Sequence, residues 1–455
     1  MKVALCYPRT EDQARSYSIM PLGAVSLATY LKQKSNHEVR VFDTSFGFKE
    51  EIKKIDEFNP DVIGLTVLLP FIDAAKEMSV YFKKRGKIIV WGGPVPTNTP
   101  KDCLEHCDFA VIGEGELTLV DLLDNLEKPI KVKGIAYGDK GKFKLNSVRD
   151  FIDINELPIP DRDLLSTRDN YLKAKNMSLI VSRGCPYNCS FCQPTLNRLF
   201  GKGVRLRSPE SIVEEIKILH NKYGTNYVTF LDDTFTFDKS WLRKLHDLFK
   251  KNNIKIEFDA LTRVNCFDDE IAVLLKEMGC KQVRFGVETG SQKMLNSLRK
   301  GQTVEQIKNA FKVAKRHKMP THAYIMIGSP GETKETLKET EEVMKEIKPD
   351  TVNISITTPL PGTDMYDECV EKNLLNLQSD KQANFYDYEF DELPIKNENL
   401  TYKDIMASKQ RMLRRRRIGF IFYNLKREAK GQFKNPSISR LFYLAKEFFN
   451  SESKG

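Results

Sequence analysis

Three cysteines lie within eight residues of the sequence, spaced C-x3-C-x2-C at Cys185, Cys189 and Cys192. An apolar run over 177–181 precedes them and predicts a buried strand, and Gly184 predicts that the cysteines follow it in a loop. Thiolates packed this closely in one loop point at one centre, and cysteine thiolates are the ligands of iron–sulfur clusters. Three ligands are one short of a full set, so the pattern predicts a cluster with one iron open to another molecule.

Two simpler interpretations of the same cysteines stay open at this point. Structural zinc usually takes four Cys or His ligands from paired C-x2–4-C motifs, but no second pair accompanies this loop and His220 lies far downstream. The three thiols could instead be buried and chemically inert. The remaining six cysteines are scattered without the spacing of a disulfide framework.

Length and composition bound the class of protein. The chain has 455 residues, too many for one ordinary core, which indicates two or three domains. It is 40% hydrophobic and 29% charged, a normal globular composition, without a stretch of the roughly 20 apolar residues that a membrane span needs. The apolar run at the start is too short for a signal peptide, so we expect a cytoplasmic protein with reduced thiols. Much of the net charge of +10 falls in the C-terminal segment, so we expect no general nucleic-acid surface.

Residues 1–140 alternate short apolar runs with segments of helical period, which predicts a Rossmann- or flavodoxin-like α/β domain with a parallel sheet. Ligands of such sheets bind outside the carboxyl ends of the strands. The GxGxxG fingerprint of dinucleotide binding is absent, so NAD is not supported. Ordinary strand-to-helix turns remain the alternative for the small and polar residues at these ends, namely Thr66, Gly92, Gly93, Gly113 and Glu114.

A charged linker is predicted over 141–172, followed over 173–365 by six strand–helix units. Six units predict a partial, (β/α)6 TIM-like barrel, and the chemistry of such barrels lies at the carboxyl ends of the strands. Polar or glycine residues follow these strands and are candidates for ligand binding. The alternative is a structural role, as helix caps, as tight turns or, for Arg263, as an ion pair with Asp268. The candidates are Asp232, Asp233, Arg263, Glu288, Ser291, Gly328 and Gly331.

The cysteine spacing, with aromatic Phe191 before the last cysteine, resembles the signature of radical S-adenosylmethionine (SAM) enzymes. The resemblance implies that the three cysteines hold a [4Fe–4S] cluster and that the amino and carboxylate groups of SAM take the open iron. It further implies specific SAM-binding roles for the strand-end residues. Asp232 and Asp233 would hold the amino group, Arg263 the carboxylate, Glu288 and Ser291 the ribose and methionyl part, and Gly328 and Gly331 the adenine.

The order of the two domains resembles radical SAM enzymes that carry a cobalamin-binding domain. The resemblance implies that Thr66, Gly92 and Gly93 flank the cobalamin tail, with Gly113 and Glu114 at the same edge. Classical cobalamin domains carry Asp-x-His-x-x-Gly after the first strand, but residues 8–16 contain no histidine here. We therefore expect cobalamin to bind without a histidine ligand to cobalt.

The same resemblance implies a reaction. The reduced cluster would cleave SAM to a 5′-deoxyadenosyl radical, which removes hydrogen from an unactivated carbon, and methylcobalamin would then supply a methyl group. An electron donor such as flavodoxin or ferredoxin would be a partner, and the substrate would be a small or lipid-like molecule. Radical cyclisation or rearrangement without methyl transfer, and a non-enzymatic iron–sulfur or cobalamin sensor, remain the alternatives.

The C-terminal region, 366–455, is predicted to be helical and basic, with its densest charge run over 409–417. Apolar residues at helical spacing follow this run, and a basic amphipathic helix of this kind is able to lie on the inner face of a membrane. The alternative is that the helices pack against the barrel or the cobalamin domain with their arginines in solvent. Nucleic-acid binding is not expected, because no recognised module accompanies the basic run.

Overall fold

A seven-stranded sheet forms the amino-terminal part of the chain in this computed structural model, which describes residues 1–9, 19–173, 177–376 and 393–414. Its strands are β1 (Lys2–Tyr7), β2 (Glu38–Asp43), β3 (Val62–Thr66), β4 (Ile88–Gly92), β5 (Phe109–Val111), β6 (Ile135–Asp139) and β7 (Lys142–Leu145). Their order is β2-β1-β3-β4-β5-β6-β7. The first five strands run parallel, as predicted, whereas β6 and β7 continue the sheet antiparallel, with β7 beyond the predicted boundary at residue 140.

Helices cover both faces of this sheet because its strands are apolar on both sides. They are α1 (Leu22–Lys34), α2 (Phe48–Phe58), α3 (Ile72–Lys83), α4 (Pro94–Asn98), α5 (Pro100–Cys103) and α6 (Glu116–Asp124). Buried side chains form one core on each face. Chain order reverses where β1 lies between β2 and β3, which is the crevice where sheets of this kind bind ligands.

The segment between the two domains is anchored rather than free. Arg162 is completely buried, pairs with Glu215, and donates from its Nη1 to the Pro160 carbonyl (2.8 Å) and from its Nη2 to the Ser178 carbonyl (2.8 Å). Glu215 also accepts from Arg207 at 2.6 Å. Buried charges persist only when they are paired, so this group of three residues fixes the linker to the second domain.

Six parallel strands form the second domain in the order β15-β14-β13-β12-β11-β8, which confirms the predicted partial barrel. A short ribbon of β9 (Ser182–Arg183) and β10 (Arg205–Leu206) lies beside it, after helix α7 (Arg168–Lys173). The barrel strands are β8 (Met177–Leu179), β11 (Tyr227–Phe230), β12 (Glu257–Thr262), β13 (Cys280–Glu288), β14 (Thr321–Ile327) and β15 (Thr351–Ile356).

Local capping residues set the ends of the barrel helices, as α9 (Pro209–Tyr223) shows. Ser208 caps α9 by accepting from the backbone of Ser211 at 3.3 Å, Pro209 occupies its first turn, and Gly224 ends it in a left-handed conformation. The helices that follow the cluster loop are α8 (Thr195–Phe200), α9 (Pro209–Tyr223), α10 (Lys239–Lys251), α11 (Asp269–Glu277), α12 (Gln292–Ser297), α13 (Val304–Arg316), α14 (Lys334–Ile347) and α15 (Asp364–Glu371).

The described part of the C-terminal region packs against the barrel. Helix α16 (Tyr402–Arg414) contacts α14, where Arg411 pairs with Glu341 at 2.8 Å and Ser408 donates to the same carboxylate at 2.7 Å. None of the helices in the described ranges combines the length and apolar character that a membrane crossing requires. The rest of the predicted basic helices, from residue 415 on, lies outside the described residues.

Candidate functional site

The loop that carries the cluster cysteines leaves β9 and is braced from both sides. The side-chain amide of Gln193 donates to the Tyr187 carbonyl (3.1 Å) and its oxygen accepts from the backbone of Asn197 (3.1 Å). The backbone of Ser190 donates to the Leu298 carbonyl at 3.0 Å. All three cysteines are free thiols, and they lie in the loop that these hydrogen bonds brace.

Gly184 shows why the chain needs a glycine before the first cysteine. Its φ is +87°, and a side chain there would place Cβ 2.5 Å from the Gly203 carbonyl oxygen. Only glycine tolerates both the left-handed backbone and this close approach. The cluster loop is therefore held directly against the turn that leads into β10.

Arg263 lies against the cluster cysteines. Its guanidinium is buried, stacks 3.6 Å from the ring centroid of Tyr187, and donates from Nη1 to the Cys189 sulfur at 3.6 Å. Nη2 donates to the Lys300 carbonyl, and Nε to Asn265 at 3.2 Å. A cation in this position stabilises thiolate ligands. These contacts account for Arg263 without the predicted bond to the SAM carboxylate, which stays a prediction.

The two adjacent aspartates after β11 have different surroundings. Asp232 is buried and accepts from the backbone of Val181 (3.0 Å) and from the backbone and hydroxyl of Ser182 (both 2.6 Å). Burial raises its pKa to about 7, although these hydrogen bonds oppose the shift. Asp232 thus braces the strand before the cluster loop. Because its Oδ1 already accepts three hydrogen bonds, this oxygen has no lone pair left for the predicted bond to the SAM amino group.

Asp233 is the member of the pair that faces open space. Its side chain is solvent-accessible, yet burial by the surrounding protein raises its pKa, with Lys300 opposing. Burial also raises the pKa of Cys185 and Cys192, and the negative charge of Asp233 adds to the shift in both. The carboxylate therefore lies near the cluster ligands, where an ammonium group of a ligand would be matched in charge.

Glu288 ends β13 in a strained conformation. Its φ is +64°, and the pairing of β13 with β14 shifts register between Gly286 and Glu288. Its carboxylate pairs with Lys300 at 2.7 Å, and both side chains are buried. A left-handed glutamate beside a β-bulge is costly and is typical of functional sites.

The last predicted SAM residues are enclosed. Ser291 is completely buried, and its hydroxyl has no partner among the described residues, so this side chain does not face the open cavity. Glu332 is buried and accepts from the backbone of Gly328, and burial raises its pKa to about 7. The Glu332 carboxylate thus bonds back to the start of the loop that contains Gly328 and Gly331. Because this carboxylate is engaged, a ligand would meet the loop through its backbone.

The strand ends predicted to bind cobalamin come together in the first domain. Thr66 and Gly92 are partners in the β3–β4 pairing. Gly93 has a φ of +102°, and a Cβ there would lie 3.2 Å from the Val67 carbonyl oxygen. The hydroxyl of Thr97 donates to the Gly93 carbonyl (2.8 Å) and accepts from the backbone of Gly113 (3.1 Å). These small residues leave an edge that a bulky ligand is able to approach.

Glu114 belongs to an ion-pair group that joins the two domains, here called the interdomain clamp. It pairs with Arg183 at 2.8 Å and with Arg205 at 2.6 Å, and Glu116 pairs with Arg183 at 2.5 Å. Burial alone would lower the pKa of Arg183, but the two carboxylates outweigh it and raise the pKa. Both oxygens of Glu114 are engaged, with Oε2 also accepting from Ile152, so its predicted contact with cobalamin has no support in these bonds.

The clamp was not predicted from the sequence, although its components are visible there. Arg183 stands two residues before Cys185, and Glu116 follows Glu114 in the same turn. A second contact supports the junction: Asn98 of α4 accepts from Arg198 of α8 at 2.9 Å. The edge predicted to bind cobalamin is therefore fixed to the start of the cluster loop and to the helix that follows it.

The donor set fits the predicted groups. Three free cysteines and a neighbouring arginine suit an iron–sulfur cluster, in which each thiolate binds its own iron. Within the described ranges, no three His, Cys, Asp or Glu side chains are grouped as ligands of a single metal ion. A surface depression of about 700 Å³ lies between β2 and the linker, and none of the predicted site residues lines it.

Comparisons with known proteins agree with this geometry. Residues 179–344 match the Radical SAM superfamily and residues 14–123 match the B12 binding domain. An uncharacterized methyltransferase of Pyrococcus horikoshii is 35% identical over 393 residues, covering 82% of this chain and 84% of the relative. An anaerobic magnesium-protoporphyrin IX monomethyl ester cyclase of Rubrivivax gelatinosus is 27% identical over 372 residues, covering 77% and 66%.

Among solved structures, the cobalamin-dependent SAM radical enzyme OxsB, with aqua-cobalamin and SAM bound, superposes with a TM-score of 0.76. The match covers 99% of this chain and 71% of that one at 19% sequence identity, which shows a common fold. Together with the relative above 30% identity, these matches confirm the predicted family and its cofactors, a [4Fe–4S] cluster, SAM and cobalamin. The chain belongs to the radical SAM enzymes that carry a cobalamin-binding domain.

Proposed function

We propose that this enzyme is a C-methyltransferase that adds a methyl group to an unactivated carbon. The observation that carries the proposal is the interdomain clamp, which ties the cobalamin-binding edge to the residue two places before Cys185. An enzyme that used its radical and its methyl carrier in one reaction would need this proximity. The methyltransferase name of the Pyrococcus relative supports the same reaction.

The cofactors supply the chemistry when bound: the cluster an electron for SAM cleavage, and cobalamin a methyl group. The chain supplies position and charge. Asp233 offers a carboxylate to the SAM ammonium, Arg263 balances the thiolate charge at Cys189, and Glu288 with Lys300 forms a fixed polar wall at the end of β13.

The test is anaerobic reconstitution with iron, sulfide and cobalamin, followed by reduction in the presence of SAM and a metabolite extract. We expect 5′-deoxyadenosine and S-adenosylhomocysteine together, and one compound of the extract heavier by a methylene group. A variant with all three cluster cysteines changed to alanine is the control and should form neither. S-adenosylmethionine that stays intact with wild-type protein would overturn the proposal.

Radical cyclisation is the second candidate, favoured by the similarity to the Rubrivivax cyclase. It shares the cluster and SAM cleavage but does not consume a second SAM as methyl donor. Formation of 5′-deoxyadenosine and product without S-adenosylhomocysteine would select cyclisation over methyl transfer.

The proposed partners are a small or lipid-like substrate and a flavodoxin- or ferredoxin-type electron donor, and the proposed location is the cytoplasm. Contact of the basic run with a membrane is less well supported than its packing against the barrel. Arg411 is used by Glu341 on the barrel, and burial lowers the pKa of Lys409. The start of the run therefore packs on protein, and membrane contact would depend on residues from 415 on, outside the described ranges. Flotation of the full-length protein with anionic vesicles tests this point.

A further inference from the structure

The barrel encloses an accessible lumen, and burial along its strands shows where it lies. In β14 the burial alternates strictly, with His322, Tyr324 and Met326 partly exposed and the residues between them buried against the helices. Strand β11 alternates in the same way. Successive side chains of a strand point to opposite faces, so the partly exposed set lines the inside of the barrel.

Arg284 on this inner wall has only one hydrogen-bond partner among the described residues. Arg284 of β13 donates from Nη2 to Asp259 of β12, its single hydrogen bond within the described part of the chain. Its Nε and the Oδ1 of Asp259 have no partner there, but both atoms are closed to solvent, so a ligand would reach the terminal nitrogens of the guanidinium. The side chain of Arg284 is 31% exposed, whereas that of Asp259 is 3% exposed. A ligand in the lumen would therefore meet the arginine rather than the aspartate.

The neighbours of Arg284 on β14 are hydrogen-bonding and uncharged. His322 is its partner in the β13–β14 pairing, and Nδ1 of this histidine lies 2.7 Å from the Thr351 hydroxyl. Burial, with a further contribution from Arg284, lowers the pKa of His322 to about 3, so its ring is neutral at pH 7. Tyr324 packs edge-on against this ring at 4.5 Å.

Two cations near the cluster end of the barrel already have partners in the described residues. Arg263 is stacked on Tyr187 and hydrogen-bonded to three groups, and Lys300 pairs with Glu288. Arginine is suited to planar recognition of carboxylates and phosphates, and burial strengthens such charge-assisted bonds. Arg284, which is 31% exposed and makes one hydrogen bond in the described chain, is therefore able to accept a ligand.

We propose that Arg284, held by Asp259, binds a carboxylate or phosphate group of the substrate inside the barrel. Arg284 precedes Glu288 by four residues on the same strand, a spacing of about 13 Å in extended chain. The substrate is therefore an elongated anion, with its charged group deep in the lumen and its reacting carbon towards the cluster. This inference rests on the proposed function, because it assumes that the lumen receives the substrate.

The experiment measures binding to the full-length, cofactor-loaded protein without turnover, so its outcome is separable from methyl transfer. Sodium phosphate and sodium acetate are titrated as probes against sodium chloride of equal ionic strength, by calorimetry and by the shift in unfolding temperature. The variants are R284Q and the double variant D259N/R284Q, which removes both charges and leaves no lone buried carboxylate. R411Q, which removes an ion-paired arginine outside the lumen, is the matched control.

We expect wild type and R411Q to bind phosphate or acetate, and the double variant to bind it roughly tenfold more weakly. Preference for phosphate over acetate, or the reverse, identifies the group on the substrate. Equal binding by wild type and D259N/R284Q, or an equal response to chloride, would overturn the proposal.

Discussion

The charged side chains between the two domains differ from those inside the barrel in how fully they are paired. In the interdomain clamp, Arg183 is held by two carboxylates, and Glu114 holds two arginines. In the lumen, Arg284 and Asp259 share one contact and leave a donor and an acceptor unused. Several charged partners for each side chain stabilise the junction, because buried charges without partners are costly, whereas a partly exposed arginine with one partner has capacity for a ligand.

The largest effect is expected where one buried carboxylate pairs with two buried arginines. Glu215→Ala would leave Arg162 and Arg207 buried without their carboxylate, so we expect the barrel to lose about 3–5 kcal/mol of unfolding free energy. Denaturant unfolding measures the change. The matched control is Glu214→Gln, because Glu214 is the exposed neighbour on the same helix. Similar unfolding of both variants would show that complete pairing contributes little to this fold.

Asp232, which braces the strand before the cluster loop, should make the free energy of unfolding depend on pH. Asp232 has its pKa raised from 3.8 to about 7 in the folded chain, so its contribution to stability is complete below pH 3.8 and is lost as pH rises to 7. Asp232→Asn keeps an acceptor without the charge. We expect the free energy of unfolding of wild type to fall relative to this variant, by a few kcal/mol, between pH 4 and 7. Parallel pH profiles would contradict the raised pKa.

The clamp itself is expected to have a smaller, local effect. The double variant E114Q/E116Q removes both charges that hold Arg183, and the cluster loop should open more often. We expect hydrogen exchange of the amides around Arg183 to accelerate roughly tenfold, since charged hydrogen bonds are lost. Glu341→Gln, which breaks the Arg411 pair on α16, should leave these amides unchanged. Unchanged exchange in the clamp variant would mean that the domains are joined by other contacts.

The smallest effect on stability is expected in the lumen. The double variant D259N/R284Q removes a pair that makes one contact, so we expect a change below about 1 kcal/mol in unfolding free energy. Chemical denaturation under the conditions used for Glu215→Ala gives a direct comparison. A loss as large as that of Glu215→Ala would place the lumen pair among the structural charges.

The sequence was sufficient for the architecture because that information is local. Alternating apolar runs and helix caps such as Ser208 and Gly224 define the strand–helix units, and the cysteine spacing is contained in one loop. The family resemblance predicts cobalamin binding at the edge where Thr66 and Gly92 are strand partners, and that role stays a prediction. The antiparallel end of the first sheet was missed, since its last strand, β7, is exposed and charged rather than apolar.

The roles of individual charged residues could not be predicted in the same way, because their partners are distant in sequence. Asp232 bonds to residues some 50 positions away, and Glu114 to residues of the other domain. Arg284 carried no sequence signal, because a single arginine within a strand gives no indication of which face it occupies or how fully it is paired. Such assignments require the register of the strands, which only the fold supplies.

The central claim is that the clamp keeps the cobalamin-binding edge beside the cluster loop, so that both cofactors serve one reaction. Pulsed electron paramagnetic resonance of the reduced, cobalamin-loaded protein tests it without a substrate, through the dipolar coupling between the cluster and cob(II)alamin. We expect a defined coupling in wild type and a weaker or broader one in E114Q/E116Q. Two paramagnetic centres with independent spectra in the wild-type protein would contradict the account.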